Sequence, residues 1–274
     1  PLAAGETVTG AHFTLTLDPA TGAVAQLTDV HSGRVWAGPQ HVLGLLRYQT
    51  FAQSDYDRFH RQYNINKRTT AHWSVPDFTK PGIADAGAES RWWEPRLVGA
   101  WHRRDDGGDY LLVELEFPPE AVARYGCPGA ATLEIALPAD ARAIRWQVQW
   151  FEKVACRLPE ALWFSFVPAG VAAHGWELQK MGQFIAPNDV VRDGNRHLHA
   201  VEAVRYADAR GTLRLDTPDA PLVAPGEPAL LNFTNRFASL RGGLHVNLYN
   251  NVWGTNFPMW YEDDARFRFT LSVS

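Results

Sequence analysis

An all-β chain, folded as a large antiparallel β-sandwich with one or two short helices, is what this sequence predicts. Three observations predict it: many short runs alternate apolar and polar residues, most are bounded by Gly, Pro, Asn or Asp, and helical spacing occurs in only two places. The first run, Phe13-Thr14-Leu15-Thr16-Leu17, alternates as a half-buried strand does. Asp18-Pro19-Ala20-Thr21-Gly22 then supplies turn chemistry before a second run, Val24 to Leu27. His31-Ser32-Gly33 turns the chain into Val35-Trp36. Strand patterns recur at Leu111 to Phe117, Thr132 to Leu137, Ile144 to Phe151 and Leu162 to Val167. They continue at Ala200 to Tyr206, Thr212 to Leu215, Ala229 to Phe233, Leu244 to Tyr249 and Phe267 to Val273. Tyr56, Phe59 and Tyr63 at helical spacing predict a helix over Ser54 to Lys67. Pro119 at a start and Gly126 at an end predict a second, short one up to Tyr125. Residues 52–109, with Pro76, Pro81, Gly82, Gly87 and Pro95, read as an irregular insertion within a single domain, 1–274.

Composition narrows the function. With 274 residues and a formal charge of −4, the chain lacks the basic footprint that nucleic acid requires. The longest apolar stretch, Ala161 to Ala173, is interrupted by Ser165, Pro168 and Gly170 and is too short to span a bilayer, so no membrane partner is expected. Cys127 and Cys156 lie too far apart in sequence for a metal-ligand pair and read as free thiols. The chain opens at Pro1 and reads as a processed chain or an excised domain. Among 26 basic residues only Lys67, Lys80, Lys153 and Lys180 are lysines, and arginine forks suit bidentate contacts and stacking on rings. Eleven Trp, eight Tyr and fourteen Phe supply core, and also flat faces that match the apolar face of a pyranose.

No phosphate loop, dinucleotide fingerprint, His-Glu-x-x-His or Gly-x-Ser-x-Gly motif occurs, which removes the usual nucleotide, zinc-protease and serine-hydrolase chemistries. The most informative stretch runs from Asn247 to Asp264, where a strand enters a loop dense in amides, aromatics and carboxylates. Amides both donate and accept, as sugar hydroxyls require, and Trp253, Trp260 and Tyr261 offer stacking surfaces. The same loop can equally be a scaffold held by its own hydrogen bonds. His197 and His199, two apart on a presumed strand, would share a face for proton transfer or zinc. Glu262 heads an acidic run that can hold a general base, and Arg236 can clamp a carboxylate or a hydroxyl.

A family resemblance rests on particular residues. Phe13-x-Leu15-x-Leu17-Asp18-Pro19-x-Thr21-Gly22-x-Val24 resembles the start of galactose-mutarotase-like sandwiches, among them the C-terminal β domains of family-38 glycoside hydrolases, the α-mannosidases. His199-Ala200-Val201, Gly211-x-Leu213 and Thr217 to Val223 are similar to the same domain farther along. Tyr48 to Phe51, Asp55 to Phe59 and Asn251 to Phe257 look closer still to an uncharacterised bacterial group of family-38-like proteins, a domain of unknown function. In the α-mannosidases the zinc, its ligands and the nucleophile lie in an N-terminal α/β barrel, for which this chain has no counterpart. The resemblance therefore implies no cofactor or metal here, zinc only in a missing upstream domain, and that barrel as a partner. It implies a carbohydrate-active accessory domain that is not catalytic alone, with Asn251, Trp253, Asn256 and Trp260 as substrate contacts; Tyr261 and Arg236 join them as candidates.

Two other readings stay open. A self-sufficient sugar epimerase would use His197 or His199 as acid and Glu262 as base, and a polysaccharide lyase would use Tyr261 or Tyr249 with Arg236. A purely structural domain would fill its own core with the aromatic loop.

Overall fold

The computed structural model describes residues 1–64, 74–254 and 258–274. The chain enters through β1 (Thr7–Thr9), β2 (Phe13–Leu17), β3 (Val24–Asp29), β4 (Val35–Ala37) and β5 (Leu43–Thr50). Helix α1 (Gln53–Tyr63), the one-turn α2 (Ser74–Asp77) and β6 (Arg91–Trp93) follow, then the hairpin of β7 (Arg96–Asp105) and β8 (Gly108–Glu116). Helix α3 (Pro119–Tyr125) leads to β9 (Ala130–Pro138), β10 (Ala143–Lys153), β11 (Glu160–Phe166), β12 (Trp176–Lys180) and β13 (Gln183–Ile185). The chain finishes through β14 (His199–Ala200), β15 (Ala203–Asp208), β16 (Gly211–Asp216), β17 (Leu222–Pro225), β18 (Leu244–Asn250) and β19 (Asp263–Val273).

These strands form two antiparallel sheets. The first has the order β1-β2-β3-β5-β11-β18-β17-β14, with β4 on β3 and β6 on β5. The second runs β13-β12-β15-β16-β19-β10-β9-β8-β7. Alternate residues of each strand point between the sheets. Leu46, Phe164 and Val246 of the first sheet thus join Leu133, Trp146 and Phe269 of the second in one apolar core. Phe164 meets Phe269 with ring centroids 5.0 Å apart, and Trp146 meets Phe166 at 5.3 Å. Gly44 is required here: its φ is +72°, and a Cβ would sit 2.7 Å from the Trp146 indole nitrogen.

The two outer faces differ. Every residue of β11 is buried, because its outward side chains Ala161 and Trp163 are roofed by Tyr56 and Phe59 of α1 together with Leu230 and Leu231. Among the described residues, nothing covers the outer face of the second sheet across β7 to β10 in this way, and Trp101, Leu112 and Arg145 are exposed.

Several elements differ from the sequence expectation. Ala229 to Phe233 is not a strand; its apolar residues are the roof over Trp163, so their hydrophobicity reflects packing rather than pairing. The Ala200 to Tyr206 run is split between sheets: His199–Ala200 pairs with β17, whereas Ala203–Asp208 pairs with β12 and β16. The insertion over 52–109 is less irregular than expected, since it holds β6, all of β7 and the start of β8. Strand β7 escapes notice because it lies at a sheet edge, half exposed, and carries Gly99 and three arginines rather than clean alternation. Three α-helices are present among the described residues rather than one or two, the extra one being the single turn of α2. Helix α1 spans Gln53–Tyr63, with the Asp55 carboxylate accepting from the Ala52 N–H at its start; residues 65–67 of the expected helix lie outside the described residues. Helix α3 matches its prediction, and Gly126 caps it in the left-handed region at φ +67°. No helix among the described residues is long and apolar enough to cross a membrane.

Candidate functional site

The uncovered face of the second sheet holds a groove of about 600 Å³. Its floor follows from strand register. Trp101, Leu112, Glu134, Gln147 and Arg268 stand opposite one another across β7, β8, β9, β10 and β19. Two residues along each strand, Arg103, Tyr110, Ala136, Arg145 and Thr270 form a parallel row. Trp101 is 39% exposed, and the outer edge of its indole sits against Gly99, where a Cβ would lie 2.5 Å from Cη2. The Arg103 guanidinium stacks over the Tyr110 ring at 4.8 Å. Arg268 is held by Asp219 through two bonds of 2.9 Å, which keeps the Asp219 carboxyl below its usual range. By contrast, Glu134, Arg145 and Gln147 make no side-chain hydrogen bond or ion pair among the described residues. A ring laid open beside a free carboxylate, guanidinium and amide is a surface that can stack one face of a sugar and bond its hydroxyls.

A second, polar cavity of about 470 Å³ lies beside α1 and the 226–242 loop. It is lined by Gln62, His197, Glu227, Asn232 and Arg236, among others. His197 is buried, outside any strand, with Nε2 3.1 Å from the Thr234 carbonyl. His199 begins β14 instead, with Nδ1 3.2 Å from Lys180 Nζ; burial, reinforced by Lys180, lowers its pKa to about 4. An imidazole so held is neutral near pH 7 and has no proton to give as an acid. Glu262 is exposed and does not line the cavity that holds His197, so the structure does not bring the epimerase pair into one pocket. Arg236 does share that cavity with His197.

The 247–264 loop is largely engaged within the fold. Asn251 is buried: its Oδ1 accepts from the Glu160 N–H at 2.8 Å, and its Nδ2 donates to the Cys156 and Leu158 carbonyls at 3.0 Å. Trp253 packs on Phe59 and Phe78 at 5.2 and 6.2 Å. Tyr261 packs on Tyr249 at 5.5 Å, and its hydroxyl donates to the Asp264 carbonyl. Trp260 keeps an exposed face with Arg157 stacked 4.6 Å over it. Asn256 lies outside the described residues.

Beneath this loop, Lys153 and Glu160 form a fully buried ion pair at 2.7 Å joining the end of β10 to the start of β11. The Tyr48 hydroxyl lies 2.6 Å from the other carboxylate oxygen, and Tyr249 donates from 3.2 Å. Burial pushes Glu160 up to about 7, while Lys153 and the two tyrosines pull the other way. Lys80 reaches the Arg157 and Met259 carbonyls, and burial lowers its pKa to about 8. Both cysteines are unbonded; Cys127 is buried and Cys156 half-buried, and burial raises both thiols. Among the described residues, no group of three or more His, Cys, Asp and Glu converges for a metal ion.

A family model described as Domain of unknown function (DUF5054) matches residues 2–145, more than half of the chain. The chain belongs to DUF5054. No curated protein matches it. Among solved structures, an alpha-mannosidase from Enterococcus faecalis V583 is similar over 100% of this DUF5054 chain and 30% of its own, at TM-score 0.58 and 9% identity. A protein in the glycosyl hydrolase family 38 from Enterococcus faecalis gives TM-score 0.53 at 9% identity, again over 100% of this chain and 30% of that one. A galactose mutarotase-like protein from Clostridium acetobutylicum aligns over 98% of this chain and 94% of its own, at TM-score 0.50 and 10% identity. At such identities the likeness shows the fold, a galactose-mutarotase-like sandwich. The DUF5054 chain spans about 30% of the length of the two family-38 neighbours.

The sequence reading missed the residues of the open groove. Their signal lies in Ile144-Arg145-Trp146-Gln147-Val148-Gln149-Trp150, a strict alternation in which every second position is polar, and in Gly99-Ala100-Trp101, a glycine two residues before an aromatic. Each pattern puts both members on one face of a strand.

Proposed function

We propose that this chain is the saccharide-contacting, non-catalytic β domain of a larger family-38-like glycoside hydrolase, with the open groove as its contact surface. The observation that carries this reading is the exposed Trp101 indole, its edge against Gly99, in one groove with the unengaged side chains of Glu134, Arg145 and Gln147. The ring covers the apolar face of one pyranose, and the polar groups, two and three strands farther across the groove, bond hydroxyls of the sugars that follow it in an oligosaccharide. The coverage of only 30% of the family-38 neighbours supports a larger parent. In this reading the hydrolytic machinery, zinc included, belongs to an upstream catalytic barrel. Trp260, still exposed, is a second stacking candidate on the loop.

Titration calorimetry of the chain with manno-oligosaccharides tests the reading. Saturable binding is expected, weakened about two- to tenfold by Trp101→Ala, the range that one stacked aromatic supplies. Gly99→Ala, which lifts the indole without removing it, should weaken binding similarly while leaving the unfolding midpoint near that of the parent chain. Absence of saturable binding, or binding indifferent to both changes, overturns the assignment of the groove. Turnover of an aryl mannoside by this chain alone overturns the non-catalytic role.

A further inference from the structure

We infer that the polar cavity beside α1 is a second ligand site, separate from the groove, built for a small sugar acid. Arg236 lines it and makes no side-chain hydrogen bond or ion pair among the described residues. A free guanidinium fork offers two parallel N–H donors, the geometry a carboxylate accepts. His197 lines the same cavity and is 3% exposed. Its Nε2 lies 3.0 Å from the Thr234 hydroxyl and 3.1 Å from the Thr234 carbonyl, which anchors the ring against the cavity wall.

The remaining lining completes the chemistry. The Asn232 Oδ1 already accepts from the Thr234 N–H, and the Gln62 Oε1 from the Phe233 N–H. Those bonds fix both amides and leave their NH₂ groups without a partner among the described residues. The exposed Glu227 carboxylate adds an acceptor. Arg58, also on the wall, is already paired with Asp55 at 3.0 Å and donates weakly to the Leu231 carbonyl, so Arg236 is the cation left for an anionic ligand. A carboxylate on Arg236 and ring hydroxyls on Asn232, Gln62 and Glu227 engage every one of these free groups. A volume of about 470 Å³ is ample for a monosaccharide.

The test is a titration of the ¹⁵N-labelled chain with D-glucuronate, D-glucose and acetate, followed by amide shifts. Saturable glucuronate binding is expected, at least tenfold tighter than either control, with shifts at His197, Thr234 and Asn232. Arg236→Gln, at an exposed position, should weaken it at least tenfold and leave the rest of the spectrum in place. Trp101→Ala should leave it unchanged, which separates this site from the groove. No saturable glucuronate binding, glucose or acetate binding as tightly, or an Arg236→Gln chain that binds as before would each overturn the inference.

Discussion

Lys153→Met probes the buried ion pair that ties the two sheets together. Both side chains have 0% exposure, and the Lys153 ammonium donates to Glu160 at 2.7 Å and to the Val154 and Tyr261 carbonyls at 3.2 and 3.4 Å. Methionine conserves the stem but strands the carboxylate in the interior, a change that costs about 3–5 kcal/mol when the remaining charge stays ionised. The loss depends on pH with a definite sign. The Glu160 pKa is raised from 4.5 to about 7, so its protonated form favours the folded state; that contribution is present below the unfolded value and fades as pH rises through about 7. Removing Lys153 drives the folded value higher still, since the ammonium is what holds it down. At about pH 5 the carboxyl is neutral in either protein, and the substitution should cost only about 1 kcal/mol for the lost hydrogen bonds. At about pH 8 the parent has released that proton and the variant still holds it, so the cost should rise by about 1.4 kcal/mol, the worth of one pH unit above the parent value. Urea unfolding at both pH values measures the difference. An equal loss at the two would refute the argument, because it would mean that the carboxyl is not protonated in the folded chain at the lower pH.

Two further outcomes are expected. Asn251→Ala removes three internal hydrogen bonds around residues 156–160 and should destabilise the chain by about 2–3 kcal/mol in urea unfolding, leaving affinity for manno-oligosaccharide unchanged in calorimetry. The buried His245, bonded to Ser165 and the Gly242 carbonyl, has its pKa lowered to about 4 by burial and by Arg47, so it contributes stability above about pH 6.5 that is lost as pH falls toward 4. His245→Asn should therefore flatten the fall of unfolding free energy over that window by about 1.4 kcal/mol per pH unit, the worth of one proton, as read from urea titrations at stepped pH.

The sequence made the strands with strict alternation legible. Phe13–Leu17 was predicted to the residue, and β8, β9, β10 and β16 within a few residues, because one face is core and the other solvent. Strand β5 passed unnoticed: Leu46-Arg47-Tyr48-Gln49 alternates, but Leu43-Gly44-Leu45 before it breaks the period. Apolar content misled at Leu230 and Leu231, which pack without pairing. The candidate site was the least legible part. The 247–264 loop is rich in sugar-binding residue types, yet Asn251 and Trp253 serve the fold, since an amide that satisfies buried carbonyls has the same composition as one that bonds a hydroxyl. The groove, by contrast, draws its floor from five strands, and no window of sequence holds Trp101, Glu134 and Gln147 together.

The contrast between the outer faces explains where a ligand has room to act. On the first sheet, Trp163 points outward but is fully buried, its indole donating to Gln49 under the roof of Phe59 and Leu231, so that face is used up by packing. On the second sheet an aromatic is left uncovered on an edge strand, a position that ordinarily invites pairing with another chain. Here the edge is guarded by charge: Arg96 pairs with Glu116, Arg103 with Asp105, and Arg104 with the buried Asp109 while also reaching the Thr9 carbonyl. Desolvating that row of ions against a second sheet would cost more than the pairing returns, whereas a sugar laid across Trp101 and Glu134 leaves the ions in water. Neutralising the guard tests this directly. Arg103→Val with Arg104→Val should raise self-association above that of the parent chain in sedimentation velocity, and an unchanged distribution with both arginines gone would show that charge is not what keeps the edge free.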